Sequence, residues 1–252
     1  MHFTTLFVGL AAVISLVSAS PVQNKRALAP VYRSCQNPKQ VAMTFDDGAP
    51  YIWDADLQAT FAKYKAKATF FVNGNNWRCI YDPERVEGMR ALFKDGHEFA
   101  SHTWSHANLT TLAWDKIHSE MWKVEEALIR ILGVNPAIVR PPYGEYNDLV
   151  RSAANARNQT IALWDFDSED TLGRTAASTQ ALYKTLVDKK VSSIAALNHS
   201  ISNSTVHEVI PYALDLLSKA GYKFVTASEC FGVKAYQTTV PEVNKDTAAW
   251  KC

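Results

Sequence analysis

A chain of 252 residues that is 47% hydrophobic is long enough for one large domain with a sizeable core. Its 26 basic and 25 acidic residues leave a formal charge of +1, with no global field to attract nucleic acid or an anionic membrane, so neither partner is expected.

The chain opens on "MHFTTLFVGLAAVISLVSAS", apolar from Phe7 to Val17 and closed by small residues, as a secretory signal peptide over 1–20 should be. The apolar run is shorter than the roughly 20 residues a membrane span needs, so no anchor is expected. Lys25-Arg26 reads as a dibasic site ending a short propeptide over 21–26; the alternative is two solvated charges in a tail. Residues 27–252 are then the mature protein, a single domain, secreted to the extracellular space or cell wall and expected to be a monomer. In an oxidising compartment the four cysteines favour two disulfides over a metal cluster, since no C-x-x-C spacing occurs. Cys35 precedes the first apolar run and Cys230 follows the last, so that pair can tie the chain ends and leave Cys79 with Cys252, among three connectivities. N-x-S/T triplets stand at Asn108, Asn158, Asn198 and Asn203, the third at the end of an apolar run and expected to be too buried for a glycan.

Beyond the leader, short apolar runs alternate with helical patterns, the signature of βα units and a mainly parallel sheet. Strands are expected at Val41–Phe45, Ala68–Val72, His97–Ser101, Ala137–Arg140, Thr160–Phe166, Ser193–Leu197 and Lys223–Thr226. Helices are expected near Ile52–Tyr64, Pro83–Lys94, Ala113–Leu132, Asn147–Ala156, Thr175–Val187 and Thr205–Ala220. The third helix is the clearest, with Ile117, Met121, Val124, Leu128 and Ile131 at spacings of three and four. Trp114 and Trp122 read as core on that pattern, and His118 as a surface or packing residue. The segment from Phe231 to Cys252 has no strong periodicity and reads as a surface tail held by Cys252.

Unusual polar residues recur where strands end, which is where parallel α/β folds gather catalytic groups. In "VAMTFDDGAP" strand alternation sends Asp46 and Asp47 to opposite faces, so the two carboxylates have separate tasks. In "SHTWSH", His102 and His106 are four apart, so on a helical turn both imidazoles grip one metal ion. Asp47 completes a His₂-carboxylate set with open positions for water and substrate. Asp46 is then free to act as general base on the activated water. His199 in "LNHS" is suited to protonate a leaving group, with His207 a weaker competitor. In "RPPYG" the prolines and glycine hold the Tyr143 N–H toward a developing oxyanion, and Arg140 is suited to orient a buried carboxylate.

In this order "TFDDG", "SHTWSH", "RPPYG", "DSED" and "LNH" closely resemble the five motifs of the polysaccharide deacetylases with the NodB homology domain, carbohydrate esterase family 4. They cover residues 41–199. The resemblance implies an α/β fold, a distorted (β/α) barrel of seven or eight parallel strands, with one divalent metal, usually zinc, cobalt being an alternative. It also implies removal of acetyl groups from N-acetylglucosamine polymers. Carried over by position, Asp47, His102 and His106 bind metal, Asp46 is the base, His199 the acid and Tyr143 the oxyanion donor. Arg140 then orients Asp46, and Asp170 tunes His199. Among family members the chain looks most like secreted fungal chitin deacetylases, with chitin or chitooligosaccharides as substrate. Acetylated xylan or peptidoglycan would suit the same catalytic set. A chitin-binding protein without catalysis is disfavoured because every expected catalytic residue is present. Two positions depart from the family pattern: Ala49 precedes Pro50 where proline usually follows "TFDDG" directly, and Thr171 stands where a tryptophan often forms an apolar wall.

Overall fold

The computed structural model describes Met1, residues 27–48, 52–240, Thr247 and residues 250–252. The leader, the dibasic site and the Ala49 departure lie outside the described residues. The elements are, in order, β1 (Val31–Tyr32), β2 (Gln40–Asp46), α1 (Asp54–Lys63), β3 (Ala68–Val72), α2 (Pro83–Lys94), β4 (Glu98–Ser101) and α3 (Trp114–Leu132). There follow β5 (Val134–Pro136), β6 (Ile138–Val139), α4 (Asp148–Ala156), β7 (Thr160–Ala162), β8 (Phe166–Asp167), α5 (Ala176–Asp188) and β9 (Ile194–His199). A π-helical turn over Thr205–Val209 leads into α6 (Ile210–Lys219), and β10 (Lys223–Phe224), α7 (Ala227–Phe231) and β11 (Tyr236–Thr239) complete the chain.

The main sheet runs β1-β7-β6-β4-β3-β2-β9-β8, with β10 beside the start of β2, and every pair in it is parallel. It curls into the expected distorted barrel, with no pairing among the described residues between its edge strands β1 and β8, and with α1, α2 and α6 packed outside it. The alternation of β2 sets the layers. Val41, Met43 and Phe45 pack outward against residues of α1, α2 and α6, while Ala42 joins Phe71, Ala100, Ile138, Ala162 and Ala195 of the other strands inside the barrel. Small alanines on most of these strands leave room for α7, whose Phe231 belongs to the same inner cluster. The N-terminal rim of the barrel holds α7 in place: Thr69 Oγ1 accepts from Ala227 N–H at 2.7 Å and Glu98 Oε1 from Ser228 N–H at 3.2 Å. That end is therefore plugged, and the opposite end is the mouth.

Both expected disulfides form, Cys35–Cys230 inside the plugged end and Cys79–Cys252 at the surface. Asn198 is fully buried and bonded to Tyr183 and Thr44, which leaves no room for a glycan. Three expectations are corrected. The strand at Thr160–Phe166 is two, β7 and β8, at different places in the sheet; Leu163–Asp165 cross between them, and the freed carbonyls of Ala162 and Leu163 accept from Arg140 at 3.2 and 3.1 Å. The C-terminal segment is not merely a tail, because β11 pairs antiparallel with β5 and Tyr236 packs on the core. Trp122 is not core: it lies one position off the apolar stripe of α3 and is exposed.

Candidate active site

At the mouth, β2 and β9 run side by side with Asp46 in register with His199. Thr44, two residues before Asp46, faces the same interior, and between them they receive the guanidinium of Arg140. Arg140 is fully buried; its Nη1 donates to Asp46 Oδ1 at 2.7 Å and to Thr44 Oγ1 at 2.8 Å, and its plane lies 3.8 Å from the Phe71 ring centroid. One oxygen of Asp46 is thus fixed, and the other, Oδ2, faces the mouth 3.7 Å from His102 Nε2.

Asp47 does not take the opposite face as strand alternation predicts. Its φ of 68° ends the strand in a left-handed conformation that turns its carboxylate into the same cavity as Asp46. The two histidines likewise converge by a different route from the expected helical turn. They lie on a loop after β4, in which Thr103 and His106 both have positive φ. Asn73 Nδ2 holds that loop by donating to the carbonyls of His102 and Thr103 at 2.6 and 3.0 Å. Glu120 of α3 anchors it from outside, accepting from Ser105 N–H and Oγ at 2.8 Å each.

Asp47, His102 and His106 each offer one ligand atom, all within 4.8 Å of one another. Asp47 Oδ1 is 3.1 Å from His106 Nε2 and 3.6 Å from His102 Nε2, yet this buried oxygen has no hydrogen bond of acceptable geometry. Such atoms are directed at a shared point rather than at each other, which fits a cation. His102 Nδ1 lies 2.8 Å from the Arg140 carbonyl, which can only accept, so Nδ1 carries the proton and Nε2 keeps its lone pair for the site. Burial presses Asp47 toward the neutral acid, but its contact with His106 and the charges of His102, His106 and His199 outweigh it and hold the carboxyl below its usual range.

On the other side His199 Nδ1 meets Asp170 Oδ1 at 2.8 Å, while Asp170 Oδ2 accepts from the His199 N–H at 2.8 Å and from Thr205 Oγ1 at 2.9 Å. Burial alone would lower the imidazole pKa; Asp170 and the charges of Asp46 and Asp47 overcome it and raise it to about 9. His207 is elsewhere, paired with Asp56 at the surface. Tyr143 has φ 61° and is exposed; the bonds of its turn, from Gly144 N–H to Pro141 and from Glu145 N–H to Pro142, do not use the Tyr143 N–H. Gly144 is required here, since it has φ 68° and an added Cβ would come within 2.8 Å of Trp164.

Asp46, Asp47, His102, His106, Tyr143 and His199 line a cavity of about 380 Å³, together with the apolar Trp164, Leu172 and Leu197 and with Asp167 and Thr171. Of the eight residues singled out in the sequence, six line this cavity, while Arg140 is bonded to Asp46 and Asp170 to His199 from behind it. Thr44, Asn73 and Trp164 were not singled out. Period-two alternation back from Asp46 finds Thr44, whereas nothing local marks the other two.

Residues 33–162 match the family described as Polysaccharide deacetylase. The chain is 34% identical to the chitin deacetylase of Pestalotiopsis sp. over 90% of this chain and 76% of that protein. To the chitin deacetylase of Colletotrichum lindemuthianum it is 32% identical, over 92% of this chain and 96% of that one. The solved structure of the chitin deacetylase from C. lindemuthianum matches with a TM-score of 0.76 at 29% identity, covering 82% of this chain and 94% of that chain. With the motifs, the curled parallel sheet and the matched residues in agreement, the chain belongs to the polysaccharide deacetylase family.

Proposed function

We propose that residues 27–252 act as one secreted, monomeric catalytic domain that hydrolyses the N-acetyl groups of N-acetylglucosamine residues in chitin or chitooligosaccharides and releases acetate. The observation that carries the reading is the cluster of Asp47, His102 and His106 flanked at the same mouth by an Arg140-held carboxylate and an Asp170-held imidazole. The two disulfides and the chitin deacetylases among its relatives support secretion and the substrate class. No helix among the described residues is long and apolar enough to cross a membrane.

Asp47, His102 and His106 would hold one divalent cation, zinc for this donor set, with cobalt accepted by the same ligands. When bound, the cation polarises the acetyl carbonyl and acidifies water. Asp46, its Oδ1 fixed by Arg140, takes the proton of the attacking water on Oδ2 as the oxygen bonds to the acetyl carbon. The Tyr143 N–H donates to the oxygen on which negative charge develops. His199 gives its proton to the sugar nitrogen as the C–N bond breaks, and Asp170 stabilises the imidazolium until then. The products are acetate and a free amine, and Trp164, Leu197 and Leu172 enclose the acetyl side.

Acetate release from chitin oligomers, with and without a chelator and with metal content measured, tests the reading. Chelator-sensitive release with one metal per chain is expected. Release by metal-free protein would refute the metal-dependent mechanism, and faster release from acetylated xylan or peptidoglycan would reassign the substrate.

A further inference from the structure

The outer face of α3 carries Trp122 with 47% of its surface exposed. Beside it, Trp104 rises from the loop between His102 and His106. Its ring lies flush on Gly74, where an added Cβ would come within 1.9 Å of it, and Lys123 Nζ stands 5.4 Å from the ring centroid. Tyr81 is 6.4 Å from Trp104, and its hydroxyl accepts from Arg130, which is itself paired with Glu126 at 2.6 Å. Trp104, Trp122 and Tyr81 line a cavity of about 470 Å³ edged by Asn75, Lys123, Glu126, Arg130 and Lys251. A single exposed tryptophan needs no explanation. Two tryptophans beside the edge of a buried Tyr81, around a ligand-sized hollow with convergent hydrogen-bonding groups, do, and the combination suits a pyranose, which presents an apolar C–H face and a polar edge.

We infer that this cavity is a second binding site for a chain of N-acetylglucosamine, holding one stretch of polymer while another enters the catalytic mouth. The choice of occupant rests on the deacetylase reading above and on two observations. The cavity is continuous with the catalytic loop, because Trp104 lies between the proposed ligands and its carbonyl accepts from Asn75 N–H at 2.7 Å, joining the two walls. Its charged groups are Lys123, Arg130 and Lys251 against Glu126 and the main-chain carboxylate of Cys252, which leaves a positive balance. A neutral acetylated chain meets no penalty there, whereas each deacetylated sugar brings an ammonium group and is repelled. The site therefore favours substrate over product, and tethering raises the effective concentration of the polymer at the mouth.

The test uses the full metal-loaded protein and compares the parent with Trp122→Ala and Trp122→Phe. Depletion binding is measured on insoluble chitin, chitosan and an acidic polysaccharide, alongside acetate release from short oligomers and from colloidal chitin. Trp122→Ala is expected to weaken chitin binding at least five-fold and to lose more activity on colloidal chitin than on short oligomers. Trp122→Phe should retain most of both, and the parent should bind chitin more tightly than chitosan. Equal chitin binding by the parent and Trp122→Ala, or tighter binding of the acidic polymer than of chitin, would overturn the inference. If that happens while the parent still releases acetate, the second site fails alone. Binding lost in Trp122→Ala while the parent releases no acetate keeps the site and refutes the deacetylase reading.

Discussion

Arg140→Met is the most informative single perturbation of the site. The guanidinium is fully buried and donates to Asp46, Thr44 and the carbonyls of Ala162 and Leu163. Methionine fills much of the same volume, so the loss is mainly polar. Asp46, only 3% exposed, is left as a buried charge without its partner, which costs about 3–5 kcal/mol. Arg140→Lys keeps the charge but cannot reach four acceptors with one ammonium, and should cost about 1–3 kcal/mol. Adding Asp46→Asn to Arg140→Met removes the stranded charge, so the double variant should be no less stable than Arg140→Met alone. Denaturant unfolding of chelated protein with disulfides intact gives the values without metal release entering the transition. A cost below about 1 kcal/mol for Arg140→Met, or simple additivity in the double variant, would refute the claim that Arg140 exists to hold an ionised Asp46.

Asp47→Asn should lower metal affinity and regain activity with added zinc, whereas Asp46→Asn should keep its metal and lose roughly 10² to 10⁴ in rate, as metal titration with acetate release would show. His199 must carry a proton to act, and its pKa is raised to about 9, so activity should fall as pH rises through that region; Asp170→Asn should move this limb of the kcat profile down by about one unit or more. His97 is buried against Phe61 and Phe70, and its Nδ1 accepts from Ala68 N–H at 3.1 Å, so its pKa is pushed down to about 4. The unfolded chain therefore binds the proton first, and stability should fall by up to about 3 kcal/mol as pH drops from 6.5 to 4, a loss that unfolding curves of His97→Gln should lack. Because Asp47 has φ 68°, Asp47→Gly should be more stable than Asp47→Ala by about 1 kcal/mol in thermal unfolding of chelated protein.

Much of this was legible in the sequence because the barrel is built on short-range periodicity. Parallel strands buried on both faces read as apolar runs, and α3 shows its stripe directly. What was missed lacks such a signal. The strand β1 is two residues after a proline, α7 is five residues long, and β11 reads Tyr-Gln-Thr-Thr and exists only because β5 lies across from it. The break between β7 and β8 is also a tertiary event, since the unpaired carbonyls there are tolerable only because Arg140 donates to them. Trp122 was misread because apolar character alone does not place a residue; its angle around the helix does.

The site residues were found by type and spacing, but the backbone that aims them was not, and the reason is physical. A regular strand cannot turn two consecutive carboxylates toward one cavity, and a helical turn cannot leave β4 at once and face β2. The chain does both through left-handed residues: Asp47, Thr103, His106 and Tyr143 all have positive φ at the mouth. For residues other than glycine such geometry costs roughly 1–2 kcal/mol each, so it persists only where surrounding bonds fix it. Around the histidines those bonds come from Asn73 and Glu120, and at Tyr143 from the carbonyls of Pro141 and Pro142, none of which belongs to the reacting set. At the mouth, the left-handed residues serve convergence. Asp46, held by regular strand geometry and Arg140, needs none, while Asp47, whose proposed task is to meet a cation shared with two histidines, has to leave the strand to do it.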